Sequence, residues 1–480
     1  MTSSDDISDG IISDGIASRL ASGAPGAVLD ETRRRAEELA HLGAFLALSD
    51  RPDQARDDRE RAAGPLAGVP VAVKDNIDTA DLPTTGATAA LAGSRPARDH
   101  VAVARLRAAG AVVVGKTNLH ELAFGITCNN AHTGPVRNPH DPDRIAGGSS
   151  GGSAVAVATG VVPVALGSDT GGSMRVPAAH CGVVGFRPTV GRWGSGRVVP
   201  LSSTRDTVGV FARTVADAAL VDRVVVDAAT GTATVAAAGT ATDAVPDRPE
   251  PDRLRLGIPR TGFWEDLDPD VDRCAAEVLD RLADAGAELV EVDLAAHELD
   301  ARCGFPIVLY EVVRELPGYL AGLPGPHREL RLDEVVEQVA SPDVRALLEA
   351  ATAEPVPDDA YRVALAVRDD LRKAYTTALG GPDGRRLDAL VYPTVPLPPA
   401  PLGHDATTPH NGRDVPVFLT NVRNTAPGSA AGMPAVSLPA GRSTTGLPIG
   451  ISLEGLPGED RALLAAAQRV EATLRQVGRT

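Results

Sequence analysis

The stretch that decides the fold runs from residue 147 to residue 189 and reads GGSSGGSAVAVATGVVPVALGSDTGGSMRVPAAHCGVVGFRPT. It holds two turns rich in glycine and serine, GGSSGGS (147–153) and GSDTGGSMR (167–175). The apolar run VVPVALG (161–167) predicts a buried strand that delivers the chain directly to the second turn. A polar turn immediately after a buried strand is a favourable place for a catalytic side chain, because the strand holds it rigidly.

Ser173 lies in the second turn, directly after two glycines. Gly171 and Gly172 carry no Cβ atom that would obstruct an approaching substrate. They also allow successive backbone N–H groups, from Thr170 onward, to point into one concavity, which suits a developing oxyanion. Ser173 is therefore a candidate nucleophile. The alternative is a serine that caps the start of the following helix.

The first turn, GGSSGGS, has the composition of a flexible linker, but it leads directly into an Ala/Val helix at 153–160. A packed glycine turn is therefore the better interpretation. Gly147, Ser149 and Gly151 also match the G-x-S-x-G pattern of a nucleophile elbow. That elbow requires a preceding strand, and RNPHDPDRIA (137–146) contains two prolines. The sequence thus argues against an elbow.

Lys74 is a candidate base, because lysine is rare in this chain. Only three of the 47 basic residues are lysine, namely Lys74, Lys116 and Lys373. A buried lysine can become a neutral amine, whereas arginine keeps its proton. Lys74 ends the alternating apolar run in VPVAVKDNID (69–78), which predicts a buried strand. The alternative is an ordinary surface lysine at the end of a strand.

The rest of the chain alternates between strand and helix patterns, which predicts an α/β fold with helices on both faces of a sheet. Residues 1–60, including an amphipathic stretch around Glu31–Leu48, are predicted to form an N-terminal helical segment. Residues 65–226 form the core with the two turns. Residues 227–251, rich in Ala, Thr, Gly and Pro, are predicted to be a loop inserted within one sheet. Further strands and a helical cover are expected over 252–480.

Composition excludes several classes of protein. The net charge of −16 argues against a nucleic-acid surface and suits an enzyme that acts on a small molecule. Four widely spaced cysteines and the absence of a signal peptide pattern predict a cytoplasmic location. No apolar run is long enough to predict a transmembrane helix.

No cofactor or metal site is expected either. HELAF (120–124) has Phe124 where a zinc motif needs its second histidine, so His120 is predicted to be structural. No Walker lysine follows either glycine turn. Cys181 lies in an apolar setting and is predicted to be a core residue rather than a nucleophile.

Together, the two turns and the upstream VKDNID sequence closely resemble the amidase signature family over about residues 60–475. The resemblance implies a single large mixed β-sheet, with Ser173 as the acyl-forming nucleophile, Ser149 as the bridging serine and Lys74 as the base. It assigns the oxyanion hole to the segment containing Thr170, Gly171 and Gly172. It also implies a cis peptide before the bridging serine, no cofactor and, as a family-level expectation, a homodimer. A base at neutral pH needs the pKa of its amine lowered from about 10.4 to roughly 7, which burial can achieve.

The substrate is suggested by similarity outside the two turns. Segments such as KTNLHELAFGITCNN (116–130) and RNTAPGSAAGMPAVSLPAG (423–441) look most like the indoleacetamide and mandelamide hydrolase branch, which cleaves primary aryl-acetamides to acid and ammonia. By the same resemblance Ala123 and Phe124 line the acyl pocket, with ordinary core packing as the alternative for Phe124. The catalytic subunit of a tRNA-dependent amidotransferase, an esterase and another amidase of the family are the alternative functions.

Overall fold

The computed structural model describes residues 15–16, 25–49, 64–230 and 253–475. Residues 1–14, 17–24 and 50–60 of the predicted N-terminal helical segment lie outside the described residues, as does most of the predicted insertion loop. Residues 227–230, which were assigned to the loop, instead complete a helix that ends at Thr230.

The described residues contain one large mixed sheet of 11 strands. Its strands are β1 (Phe45–Leu48), β2 (Pro70–Lys74), β3 (Val112–Thr117), β4 (Val164–Asp169), β5 (Val184–Arg187), β6 (Thr207–Ala212), β7 (Arg255–Pro259), β8 (Glu288–Val292), β9 (Ala389–Pro393), β10 (Ala435–Arg442) and β11 (Pro448–Glu454). Their order across the sheet is β1-β3-β2-β4-β6-β5-β10-β11-β9-β7-β8. Strand β2 is parallel to both β3 and β4, whereas β4 is antiparallel to β6. Strands from both sides of residues 231–252 belong to this sheet, so the prediction of one continuous mixed sheet is confirmed.

Helices surround the sheet. Those of six or more residues are α1 (Pro25–Glu38), α2 (Val101–Ala108), α3 (Gly151–Ala158), α4 (Arg175–Cys181), α5 (Val215–Thr230), α6 (Pro269–Asp284), α7 (Ala296–Ala321), α8 (Leu332–Gln338), α9 (Pro342–Ala353), α10 (Asp358–Gly380), α11 (Val417–Val422), α12 (Ala426–Ala431) and α13 (Asp460–Arg475). Helix α6 shows how the sequence sets a boundary: the Asp268 side chain accepts a hydrogen bond from the Asp270 N–H, and Pro269 occupies the first helical position. Among the described residues, no helix combines the length and apolar character that crossing a membrane requires.

The alternation of side chains along β2 determines the face of the sheet on which Lys74, the candidate base, lies. Val71 and Val73 pack into one apolar core together with residues of α2, α5 and α13. Ala72 packs into a second core, on the other face, with residues of α3. Because side chains two apart share a face, Lys74 lies on the same side as Ala72, toward α3. The helix that follows the first glycine turn and the candidate lysine therefore meet on one face of the sheet.

In the sheet, one strand was wrongly predicted to be helical and another was not predicted. The amphipathic stretch around Glu31–Leu48 is helical only to Glu38, and Phe45–Leu48 forms the edge strand β1 instead. This strand pairs antiparallel with β3, with Phe45 opposite Thr117. A four-residue apolar run fits either a helix or a strand, and its pairing partner decided between them. Strand β6 was not predicted, although it lies centrally between β4 and β5.

Candidate active site

Lys74 and Ser149 are brought together at the carboxyl end of β2. The Lys74 Nζ atom lies 2.7 Å from the Ser149 Oγ atom and 2.9 Å from the Ser168 Oγ atom. Neither Lys74 nor Ser149 has any exposed surface. The Gly148–Ser149 peptide bond is cis, as the family resemblance predicted. The first glycine turn is thus a packed part of the site and not a flexible linker.

Burial controls the protonation of Lys74. Its complete removal from water lowers the pKa of Lys74 to about 7, and the negative charges of Asp169 and Asp206 oppose that shift only in part. At neutral pH a large fraction of Lys74 is therefore an uncharged amine that can accept a proton. The Asn76 side-chain amide donates to the Ser168 Oγ atom at 3.0 Å, which fixes the hydroxyl against which Lys74 is oriented.

Asp169 anchors the second turn, a role that the sequence did not suggest. One of its carboxylate oxygens accepts from the Gly172 N–H at 2.8 Å and the other from the Met174 N–H at 3.1 Å, so the carboxylate holds the backbone on both sides of Ser173. Arg175 and Arg187 form buried ion pairs with it, at 3.2 and 2.9 Å. Although burial raises the pKa of Asp169, the two arginines hold it well below its usual range. Asp169 is therefore ionised throughout the neutral range.

The Gly172 N–H donates to the Asp169 carboxylate, whereas the family resemblance implied that Gly172 belongs to the oxyanion hole. The Thr170, Gly171 and Ser173 N–H groups donate to no partner among the described residues and remain available to an oxyanion. Gly172 itself has φ of +135°, and a Cβ atom there would lie 2.1 Å from the Thr425 Oγ1 atom. Only glycine fits at this position, so its contribution is to shape the turn.

Ser173 opens into a cleft. The cleft has an empty volume of about 560 Å³, including the part open to solvent. Its wall is mainly apolar and is formed by Ala123, Phe124, Gly125, Ile126, Thr170, Gly171, Leu201, Arg205, Asp300, Gly304, Phe305, Val308, Phe418, Val422 and Ala426. Ala123 and Phe124 lie in this wall and also pack into the apolar cluster with Leu122, so the pocket and core interpretations of Phe124 both describe part of its surroundings.

Two other residues singled out in the sequence, and one that was not, have structural roles near the site. His120 is buried; its Nδ1 atom accepts from the Cys128 N–H at 3.2 Å, and its Nε2 atom lies 3.0 Å from the Asp343 carboxylate. Cys181 is buried in the core beside α3. The sequence did not single out Cys128. Its thiol donates a hydrogen bond to the Ser149 carbonyl oxygen at 3.1 Å and so supports the first glycine turn. A small buried thiol carries no recognisable sequence signal for this contact.

Comparison with known proteins agrees with this geometry. Residues 28–464 match the family model described as amidase. The chain belongs to the amidase family. It is an enzyme that hydrolyses amides. The amidase is 38% identical over 424 residues to an indoleacetamide hydrolase of Agrobacterium vitis, covering 87% of this chain and 86% of that protein. It is 36% identical over 469 residues to a mandelamide hydrolase of Pseudomonas putida, covering 92% and 86%.

The fold is also shared with solved structures. The native peptide amidase of Stenotrophomonas maltophilia superposes with a TM-score of 0.79 at 30% sequence identity, covering 98% of this chain and 97% of that one. The large mixed sheet with its helical cover is therefore the architecture of amidase family enzymes.

Proposed function

We propose that this amidase hydrolyses the primary amide of an aryl-substituted acetic acid to the acid and ammonia. The observation that carries the proposal is the buried 2.7 Å contact between Lys74 and Ser149, in a setting that lowers the pKa of the lysine to about 7. An amine that is neutral at working pH and hydrogen-bonded to a serine hydroxyl can accept the proton of that hydroxyl.

Proton transfer begins at Lys74. The neutral Lys74 amine donates one N–H to Ser168, which directs its lone pair toward the Ser149 hydroxyl. Lys74 accepts the Ser149 proton while Ser149 accepts the proton of Ser173, and the Ser173 Oγ atom attacks the amide carbon. The N–H groups of Thr170, Gly171 and Ser173, free among the described residues, stabilise the resulting oxyanion.

Collapse of this tetrahedral species breaks the C–N bond. The proton held by Lys74 returns through Ser149 to the leaving nitrogen, so that ammonia departs and an ester of Ser173 remains. Water then attacks the ester, giving its proton to the same relay, and the acid is released while Ser173 regains its proton. The enzyme ends the cycle in its starting protonation state, and no cofactor is consumed.

The shape of the cleft supports an aryl group on the acyl side. Three of the seven phenylalanines in the chain, Phe124, Phe305 and Phe418, lie in its wall. The Phe305 and Phe418 ring centroids are 5.9 Å apart, which presents a continuous aromatic surface. Such a surface suits a flat ring. The similarity to indoleacetamide and mandelamide hydrolases supports the same substrate class.

Ammonia release from a panel of amides tests the proposal. The panel contains indoleacetamide, phenylacetamide, mandelamide, a short aliphatic amide, glutamine and an aryl-acetic ester, each measured with wild type and with Ser173→Ala. We expect release that depends on Ser173 and is fastest with the aryl-acetamides. Release from glutamine alone would favour an amidotransferase subunit. Cleavage of the ester without any amide would keep Ser173 as the nucleophile but contradict the proposed substrate.

A further inference from the structure

One carboxylate in the cleft wall has no hydrogen-bond donor. Asp300 lies in the second turn of α7, and its Oδ1 atom is buried without a hydrogen bond. No donor reaches its other oxygen among the described residues either. The backbone around it is tightly fitted, because a Cβ atom at Gly304, one turn later, would lie only 2.5 Å from the Asp300 Oδ1 atom. An unsatisfied buried carboxylate oxygen is costly, and Asp300 as a whole is only partly buried and lines the cleft, so its carboxylate can take a hydrogen-bond donor from the cleft.

The neighbouring cation does not supply that partner. The Arg205 guanidinium donates to the Thr170 carbonyl oxygen at 3.0 Å and to the Gly304 carbonyl oxygen at 2.9 Å. A weaker contact, at 3.4 Å, reaches the Ala426 carbonyl oxygen. Arg205 therefore offsets only part of the charge of Asp300 and donates no hydrogen bond to it. Burial raises the pKa of Asp300, and the charge of Arg205 opposes this shift.

The surroundings indicate what kind of donor fits. Asp300, Phe305 and Val308 lie on the same helix and line the same cleft as Ser173. Because the Arg205 cation already lies nearby, a neutral donor is favoured over a second cation. The remaining wall is largely apolar and aromatic, so the donor must be carried by a flat, mainly apolar group.

We propose that Asp300 accepts a hydrogen bond from an N–H or O–H group on the acyl portion of the substrate, outside the amide itself, and so selects aryl-acetamides that bear such a donor. This inference rests on the proposed function and deepens it. An indole N–H and a benzylic hydroxyl are both of this class. A site built to accept a hydrogen bond discriminates strongly against an analogue without the donor, because its acceptor is then left unpaired.

Matched pairs of substrates test this selection. The first pair is indole-3-acetamide and benzofuran-3-acetamide, which replaces the ring N–H by oxygen with little change in shape. The second pair is mandelamide and phenylacetamide. We expect kcat/KM of wild type to favour the donor-bearing member of each pair by roughly 10- to 100-fold, the size of a hydrogen bond to a charged group. The preference should appear mainly in KM, since the contact exists in both the bound substrate and the transition state.

Substitutions test whether Asp300 causes the preference for donor-bearing substrates. Asp300→Ala should bring the ratio within each pair close to one, and Asp300→Asn, which keeps an acceptor oxygen, should retain part of it. Glu298→Ala, an exposed acidic position on the same helix, is the matched control and should keep the wild-type ratio. Gly304→Ala provides a second route, because its methyl group would push the Asp300 carboxylate aside and lower the ratio without removing the carboxylate.

The outcomes separate the two proposals. If wild type turns over both members of each pair with a kcat/KM ratio near one, selection by Asp300 is wrong and the proposed function still stands. The same conclusion follows if Asp300→Ala and Gly304→Ala leave the wild-type ratio unchanged. Failure of wild type to release ammonia from any aryl-acetamide would overturn the proposed function and this inference with it. If Asp300→Ala does not fold, as judged by circular dichroism, the wild-type ratios and Gly304→Ala decide the matter.

Discussion

The Lys74 Nζ atom and the Ser149 Oγ atom are 2.7 Å apart and both residues are fully buried, although 75 positions separate them in the chain. Burial has two effects on this pair. It keeps competing water away from the contact, and it favours the uncharged form of the lysine. Under the proposed mechanism, we therefore expect the activity to depend on pH and on the identity of both residues.

Activity should follow the deprotonation of Lys74. Since burial lowers the pKa of Lys74 to about 7, kcat/KM should rise with pH through about 7 and level off above about pH 8. At pH 6 it should be about a tenth of the plateau, because only that fraction of the lysine is neutral. Initial rates of ammonia release between pH 5 and 9 measure this profile. A flat profile over that range would argue against Lys74 as the base.

Lys74→Arg should lower kcat/KM by about 100- to 10,000-fold, because arginine retains its positive charge and cannot accept the proton. Lys373→Arg is the matched control: Lys373 lies in an exposed ion pair with Asp370, 2.9 Å apart, and its replacement should leave activity unchanged. Steady-state kinetics of both variants, with circular dichroism to verify folding, make the comparison. Near-normal activity of Lys74→Arg would remove Lys74 from the mechanism.

Ser149→Ala should slow turnover by about 100- to 10,000-fold, since the relay from Ser173 to Lys74 is interrupted. Ser173 itself would remain, so the variant should still react slowly with a fluorophosphonate probe. Intact-mass spectrometry follows the labelling, and Ser173→Ala should show none. Wild-type turnover by Ser149→Ala would contradict the bridging role.

Asp169→Asn should destabilise the fold as well as the site. The substitution leaves two buried arginines, Arg175 and Arg187, without the carboxylate that they share, and removing one partner of a buried ion pair costs about 3–5 kcal/mol. Urea denaturation measures the change in the free energy of unfolding. Asp370→Asn, which removes the exposed partner of Lys373, is the control and should have little effect. Equal stabilities of the two variants would show that Asp169 does not anchor the turn.

The four cysteines should be unreactive in the folded enzyme. All are free and buried, and burial raises the pKa of Cys128 and of Cys303 to about 11. Thiolate is the reactive form, so a disulfide reagent at pH 8 should modify less than about one thiol per chain within minutes. All four should react in guanidinium chloride. Rapid modification of the native enzyme with loss of activity would contradict the burial of Cys128 beside Ser149.

Local patterns predicted most of the sheet, but they assigned one strand to a helix and missed another. β2 and β4 were predicted because each is an apolar run followed by polar or turn residues. Phe45–Leu48 was assigned to a helix, since its short apolar run gained strand geometry only from pairing with β3. Thr207–Ala212 was missed for a related reason, because its place between β4 and β5 depends on contacts with both neighbours.

Sequence patterns likewise marked some residues of the candidate site and gave no sign of the others. Lys74, Ser149 and Ser173 were recognised because a rare lysine and two glycine-serine turns are local signals. Asp169 and its two arginines lie within the quoted stretch, yet nothing in the sequence shows that they converge. Asp300 lies in a helical region of ordinary composition, and no pattern marks it as part of the cleft.

The sequence by itself determined the family, the class of fold and the residue types available for catalysis, because these depend on short patterns and on their order along the chain. Only the tertiary structure decided which N–H groups of the Ser173 turn are available, how far burial lowers the pKa of Lys74, and which side chains face the cleft. Each of these depends on atoms contributed by distant segments, as when the Arg205 guanidinium reaches the Gly304 carbonyl oxygen 99 residues away. Desolvation and hydrogen-bond geometry are sums over such neighbours, and a linear sequence does not contain them.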